Sequence, residues 1–178
     1  MINIGQKFPD FTKKATVSVK PGKEFAEIKN TDHINKKRWM TMFWYPKDFT
    51  FVCPTEIVEF DKQRKEFDKR NCDLIGASTD TEFSHLGWMV AHPDLKNLEI
   101  PLLADTSKSL ADALGILEEG EKIAYRATFI VDPNGIVKWV CVNDLSVGRN
   151  VEEVLRVLDA LQSGGLTPCG WKSGDKTL

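Results

Sequence analysis

Covalent or ligand chemistry near neutral pH falls to few side chains here: four cysteines, Cys53, Cys72, Cys141 and Cys169, and three histidines, His33, His85 and His92. They are widely scattered. No two cysteines stand in a Cys-x-x-Cys spacing and no histidines pair, so the ligand spacing of a structural zinc site is missing and no metal is expected. Cys53 alone has suggestive neighbours, in FWYPKDFTFVCPTE from Phe43 to Glu56. Proline is favoured at the first helical position, which puts Cys53 at or next to a helix N-cap. There the unpaired N–H groups and the positive end of the helix dipole favour the thiolate, the nucleophilic form of cysteine. A lone cysteine beside aromatic residues also reads as a small buried hydrophobe, and position does not choose between the two. Cys72 and Cys141 fall in strand candidates and read as inert buried thiols. The histidines offer no general-base case; His92, before Pro93, reads as a capping or surface residue.

The elements that must place Cys53 follow from periodicity. Arg38 to Tyr45 is short and apolar and ends at Pro46, a buried strand feeding a loop. From Pro54, Ile57, Phe60 and Phe67 fall near one face of a helix that stops around Asn71. Cys72 to Ser78 is a second compact strand. Thr81 to Ala91 reads as a helix, Pro101 to Asp105 as a short strand, and Ser107 to Leu114 as a helix closed by Gly115. Ala127 to Val131, the turn Asp132-Pro133-Asn134-Gly135 and Ile136 to Val142 form a hairpin pattern. Val151, Val154, Leu155, Leu158 and Leu161 recur at helical spacing, with Asn150 as cap and Gly164-Gly165 as stop. The order predicts an α/β domain with a mixed sheet covered by helices on both faces, as in thioredoxin-like domains. Residues 1–163 form the expected domain, its sheet preceded by an N-terminal extension, and 164–178 a C-terminal tail.

Composition agrees with one globular domain: 178 residues, 42% hydrophobic and 28% charged. A formal charge of -2 and short basic runs such as Lys36-Lys37-Arg38 argue against nucleic acid or an anionic membrane as partner. No apolar run approaches a membrane span, and MINIGQKFPDF lacks the pattern of a signal peptide, so the cytoplasm is expected.

Pro46, Thr50 and Cys53 stand in the pattern P-x-x-x-T-x-x-C, followed by Pro54-Thr55-Glu56. With these residues the chain resembles a peroxiredoxin of the alkyl hydroperoxide reductase C type, in the typical two-cysteine class. The likeness runs from Gly5-Gln6-Lys7-Phe8-Pro9 through Arg126-Ala127-Thr128-Phe129-Ile130-Val131-Asp132 to Val147-Gly148-Arg149-Asn150-Val151-Glu152-Glu153. The resemblance implies a thiol-dependent peroxidase of antioxidant defence, acting on hydrogen peroxide and organic hydroperoxides without a cofactor. It makes Cys53 the peroxidatic cysteine, Thr50 the hydroxyl that hydrogen-bonds the peroxide, Pro46 the ring that shields the thiolate, and Arg126 the active-site arginine. Glu56 and Trp88 take supporting positions, Glu56 orienting the arginine. These types suit the chemistry: the thiolate attacks one peroxide oxygen while charge grows on the other, so donors must be aimed along the O–O bond. Sulfenic acid results, and a second thiol must resolve it before further oxidation.

In the resembled class that thiol lies in the C-terminal segment of the partner subunit, which here points to Cys169 in Thr167-Pro168-Cys169-Gly170-Trp171-Lys172. The family's usual Val-Cys-Pro-x-x-Trp sets the cysteine four residues before tryptophan; Cys169 is two before Trp171, with Thr167 in the usual place. Cys72 and Cys141 are next in line. The resemblance further implies a homodimer assembling into a decamer, recycled by thioredoxin, a flavin-dependent reductase or a small dithiol adaptor. Neither a Gly-Gly-Leu-Gly loop between Ser78 and Pro101 nor a terminal Tyr-Phe occurs, so resistance to overoxidation and a readily unfolding tail are expected. Two rivals share the fold. A thiol-disulfide oxidoreductase needs a second cysteine where Glu56 stands, and a chaperone or peroxide-sensing relay would act beside or instead of peroxide turnover.

Overall fold

Alternation along the strands decides which side chains meet the helices, because successive residues of a strand point to opposite faces. In β3 (Trp39–Trp44), Met40, Met42 and Trp44 enter one core cluster, while Phe43 enters the other. β4 (Cys72–Ser78) repeats the division, Ile75 and Ala77 against Cys72 and Leu74. The computed structural model describes residues 1–178 and arranges these strands with β1 (Thr12–Thr16), β2 (Phe25–Lys29), β5 (Leu102–Ala104), β6 (Arg126–Val131) and β7 (Val137–Asn143) in one mixed seven-stranded sheet, of order β2-β1-β5-β4-β3-β6-β7. β3 and β4 pair in parallel, as do β4 and β5 (Leu102–Ala104). β6 (Arg126–Val131) runs antiparallel to β3 and forms the expected hairpin with β7 (Val137–Asn143). Gly135, at φ +80°, takes the left-handed position of the hairpin turn.

The region before Arg38, expected only as an extension, contains β1 (Thr12–Thr16), β2 (Phe25–Lys29) and α1 (Thr31–Asn35). β2 is an edge strand with four of its five residues exposed, so it has no apolar alternation to read; its register with β1 holds it.

Helices cover both faces. α2 (Cys53–Lys62), α3 (Arg64–Lys69), α4 (Glu82–Ala91) and α6 (Val151–Ser163) supply Ile57, Phe60, Phe67, Trp88, Val154 and Leu158 to one core. α5 (Ser109–Leu114) packs Leu110 and Leu114 into the other with Phe8 and Phe11. The single helix expected from Pro54 to around Asn71 is two, broken at Gln63. There Arg64 Nη1 donates to the Asp61 carbonyl at 3.0 Å, occupying the acceptor that a continuous helix would offer to the Lys65 N–H. Caps stand where expected on α4 and α6: Thr81 Oγ1 accepts the Ser84 N–H at 3.0 Å, and Asn150 Oδ1 accepts the Glu153 N–H at 3.3 Å. His92 is the C-terminal cap residue of α4, its Nδ1 accepting the Asp94 N–H at 3.3 Å. Beyond Gly164, at φ +67°, residues 165–178 form no helix or strand.

Candidate active site

The loop from β3 to α2 is tied down by one carboxylate. Tyr45 extends the ladder of β3 by a bond from its N–H to the Ala77 carbonyl (3.0 Å), and Pro46 follows, buried. Asp48 then accepts the Tyr45 hydroxyl at 2.9 Å and faces His85 Nδ1 at 2.8 Å, while its own N–H donates to Asp80 Oδ2 at 3.0 Å. Burial, with the Asp48 charge beside it, holds the Tyr45 phenol well above its ordinary pKa, so it remains a donor. Phe49 turns the chain through the left-handed region at φ 57°. Thr50 donates its hydroxyl to the Lys47 carbonyl at 3.0 Å.

Cys53 is the first residue of α2, with Val52 in the capping position and Pro54 behind it, and it has no exposed surface. Glu56 lies one turn further on the same helix face and is 5% exposed. Arg126, at the start of β6, reaches both: Nη1 is 2.6 Å from Glu56 Oε2 and 3.4 Å from Cys53 Sγ. Its Nε donates to the Leu145 carbonyl at 2.7 Å, which fixes the guanidinium plane.

A second arginine, not singled out from sequence, completes the cluster. Arg149 donates its backbone N–H and Nε to Glu56 Oε1 (2.9 and 2.8 Å) and Nη2 to Oε2 (2.9 Å). Its Nη1 reaches the carbonyls of Trp44 and Ala127, each at 2.8 Å. The guanidinium stacks 5.4 Å from the Phe43 ring centroid and 5.6 Å from that of Phe60. A buried arginine leaves no periodic trace; its place just before the Asn150 cap, inside the Val147 to Glu153 stretch that carries the resemblance, is the signal that could have found it. Two buried guanidiniums thus face one carboxylate. The excess positive charge lies against the Cys53 sulfur.

Other expected residues stand apart from this cluster. Thr50 spends its hydroxyl on the loop and makes no hydrogen bond to Cys53. Trp88 is a buried wall residue, its ring 6.1 Å from Tyr45 and 6.0 Å from Phe49. Cys169 is exposed on the tail and, like Cys53, is a free thiol. Cys72 is buried, and burial pushes its thiol up to about 12. Cys141 is half-buried on β7.

Known proteins match this chain over nearly its whole length. The AhpC/TSA family matches residues 4–140. Alkyl hydroperoxide reductase C of Mycobacterium tuberculosis is 45% identical over 186 residues, covering 100% of this chain and 94% of the relative. Peroxiredoxin-2 of Mus musculus is 44% identical, covering 98% and 89%. Among solved structures, Mycobacterium bovis AhpC superposes with a TM-score of 0.87 at 43% identity, covering 97% of this chain and 99% of its own. Reduced Plasmodium vivax 2-Cys peroxiredoxin superposes with a TM-score of 0.89 at 35% identity, covering 98% and 91%.

Proposed function

The chain belongs to the AhpC/TSA family and is a thiol-dependent peroxidase, and on that premise we propose a two-cysteine cycle between Cys53 and Cys169. Cys53 thiolate attacks one oxygen of ROOH; the O–O bond breaks, RO⁻ leaves and takes a proton, and Cys53 becomes the sulfenic acid. Cys169 of a second subunit then displaces hydroxide from that sulfur, releasing water and forming an intersubunit disulfide. An external dithiol, from thioredoxin, a flavin-dependent reductase or a small adaptor, reduces it.

One observation carries the first step: Arg126 Nη1 sits 3.4 Å from Cys53 Sγ while Glu56 holds it at 2.6 Å. A fixed cation at that place favours the thiolate and stands beside the oxygen on which charge develops. Pro46, buried in the preceding loop, keeps water off that side, and Trp88 walls the pocket. Thr50 lies three residues before Cys53 on the same loop; its hydroxyl donates to the Lys47 carbonyl in the resting protein, and in this reading it turns to the bound peroxide. Hydrogen peroxide and organic hydroperoxides are the substrates.

Residues 1–163 make the catalytic body and 164–178 the tail that delivers Cys169. A homodimer closing into a decamer belongs to the same reading; exposed Phe25, Phe83, Phe49 and Phe51 support contact between copies. No helix is long and apolar enough to cross a membrane; the cytoplasm is the compartment this reading assigns. The test is a non-reducing gel after about one equivalent of hydrogen peroxide, on wild type, Cys53→Ser and Cys169→Ser. A disulfide-linked dimer in wild type alone is the expected result. A dimer that survives Cys169→Ser would transfer the resolving role to Cys72 or Cys141.

A further inference from the structure

Glu56 and Arg126 are held from outside their cluster by the loop between β7 and α6. Two backbone groups of that loop reach them. The Leu145 carbonyl accepts Arg126 Nε at 2.7 Å, and the Arg149 N–H donates to Glu56 Oε1 at 2.9 Å. Neither group belongs to a helix or strand, because β7 ends at Asn143 and α6 begins at Val151. Their placement falls to whatever closes the loop.

Asn143 closes it. Its Nδ2 donates to the carbonyls of Val147 at 3.3 Å and Gly148 at 3.1 Å, and inside the loop the Val147 N–H donates to the Asp144 carbonyl at 3.0 Å. The neighbours fix which way the side-chain amide faces. Its oxygen lies 3.5 Å from the Cys141 sulfur, a weak donor, and its nitrogen takes the side with two acceptors. Asn143 also stands directly opposite Arg126 in the β6–β7 ladder, so loop and guanidinium start from one point of the sheet.

The Gly148 carbonyl and the Arg149 N–H belong to one peptide unit. In a planar trans peptide these groups point opposite ways, so Asn143 grips the unit from the side away from Glu56. A continuous line of contacts results. It runs from Asn143 through that peptide to Glu56, from Glu56 Oε2 to Arg126 Nη1 at 2.6 Å, and from there to Cys53 Sγ at 3.4 Å. The side chain of Asn143 itself bonds to none of the three.

We propose that Asn143 is a positioning residue of peroxide reduction: by clasping the Val147 and Gly148 carbonyls it presents the Arg149 N–H to Glu56 and the Leu145 carbonyl to Arg126, and so sets the guanidinium at the Cys53 sulfur. This rests on the reading of Cys53 as the thiol that meets the peroxide. A looser loop leaves the cation less well aimed, both at the thiolate and at the oxygen on which charge develops.

The experiment follows oxidation of Cys53 by hydrogen peroxide in the full-length protein, by stopped-flow fluorescence across the pH range in which thiols titrate. Wild type is compared with Asn143→Ala, Asn143→Asp and Asn143→Gln, and the urea midpoint of each is measured. Asn143→Ala is expected to slow the reaction about fivefold. The pH at which its rate reaches half of the maximum should move up by about half a unit, since the cation beside the thiolate is held less firmly. Asn143→Asp keeps the shape but sets an acceptor against two carbonyls, and loses more. Asn143→Gln keeps the donor on a longer arm and recovers part of the rate. Rates and pH profiles equal to wild type in both Asn143→Ala and Asn143→Asp overturn the proposal. So does slowing confined to Asn143→Asp, which the new charge alone would explain. A lowered urea midpoint with an unmoved pH profile overturns it too, restricting Asn143 to the fold. Undiminished peroxide turnover in Cys53→Ser removes the reading of Cys53 and the proposal with it. Loss of that turnover together with unaltered Asn143 variants removes the proposal alone.

Discussion

Glu56 is the residue on which the cluster turns, since its two oxygens accept four hydrogen bonds from Arg126 and Arg149. Removing one partner of a buried ion pair leaves charge uncompensated and typically costs about 3–5 kcal/mol. Glu56→Gln is therefore expected to lower stability by about 3 kcal/mol, read from the denaturant midpoint. It should also slow sulfenic acid formation about 10²-fold, because Arg126 is no longer held at the sulfur. Lost stability with an undiminished stopped-flow rate would restrict Glu56 to the fold. Cys72 gives the opposite case, a thiol that folding keeps neutral. Its folded pKa, about 12 against a reference of 9.0, is raised by burial. Its contribution is then full below about pH 9 and lost as pH rises toward 12, with stability falling by up to about 1.4 kcal/mol per unit. Cys72→Ala should flatten that part of the curve relative to wild type; identical slopes across the window would refute the assignment. That Cys53, Glu56 and Arg126 come together was legible because one dense motif marks the first two and the separate stretch from Arg126 to Asp132 marks the third. Arg149 was not, since it acts through contacts with residues far along the chain.

Elements were legible wherever the chain carries its own punctuation. β3, β4, the β6–β7 hairpin, α4 and α6 have apolar periodicity together with a cap, a proline or a left-handed glycine or asparagine at an end, and the structure keeps each within a few residues. β1, β2 and α1 lack that signal because pairing and tertiary contact hold them. α5 is legible as a helix while its cap is not: Lys108, in its capping position at φ 60°, supplies no side-chain bond. The wholly buried Asp105, at the end of β5, does this instead, accepting the Ala111 N–H at 2.8 Å and the Leu110 N–H at 3.3 Å. Lys13 from β1 balances its charge at 2.6 Å, so one carboxylate joins β1, β5 and α5. Asp105→Asn and Lys13→Met should each lower stability by about 3 kcal/mol, while the double variant loses clearly less than the two together. Strict additivity in urea unfolding would mean that the pair is not coupled.

At the scale of the whole molecule, the residues around Cys53 come from four places in the chain: the end of β3, the start of α2, the start of β6 and the segment before α6. A surface feature lies next to them. Phe83 on α4 is 66% exposed and packs edge-on against Phe25, with ring centroids 5.2 Å apart. Val90 lies two turns along α4, and Gly87 between them faces the Phe49 ring. Phe49 is itself 60% exposed, one residue before Thr50. A contiguous apolar strip on a small domain marks a contact surface, and the homodimer proposed above is expected to cover it with a second copy of this chain. Such cover would also brace the loop that carries Thr50 toward Cys53, so assembly and reactivity should change together. Phe83→Glu places a charge at the centre of the strip while leaving Cys53, Arg126 and the core untouched. Sedimentation velocity should then give a smaller species than wild type, with the peroxide rate constant reduced several-fold and the circular dichroism unchanged. A variant that sediments as wild type does would exclude the strip as the contact. One that dissociates at full rate would mean that Asp48, through Tyr45, His85 and Asp80, already holds the loop without help from a neighbour.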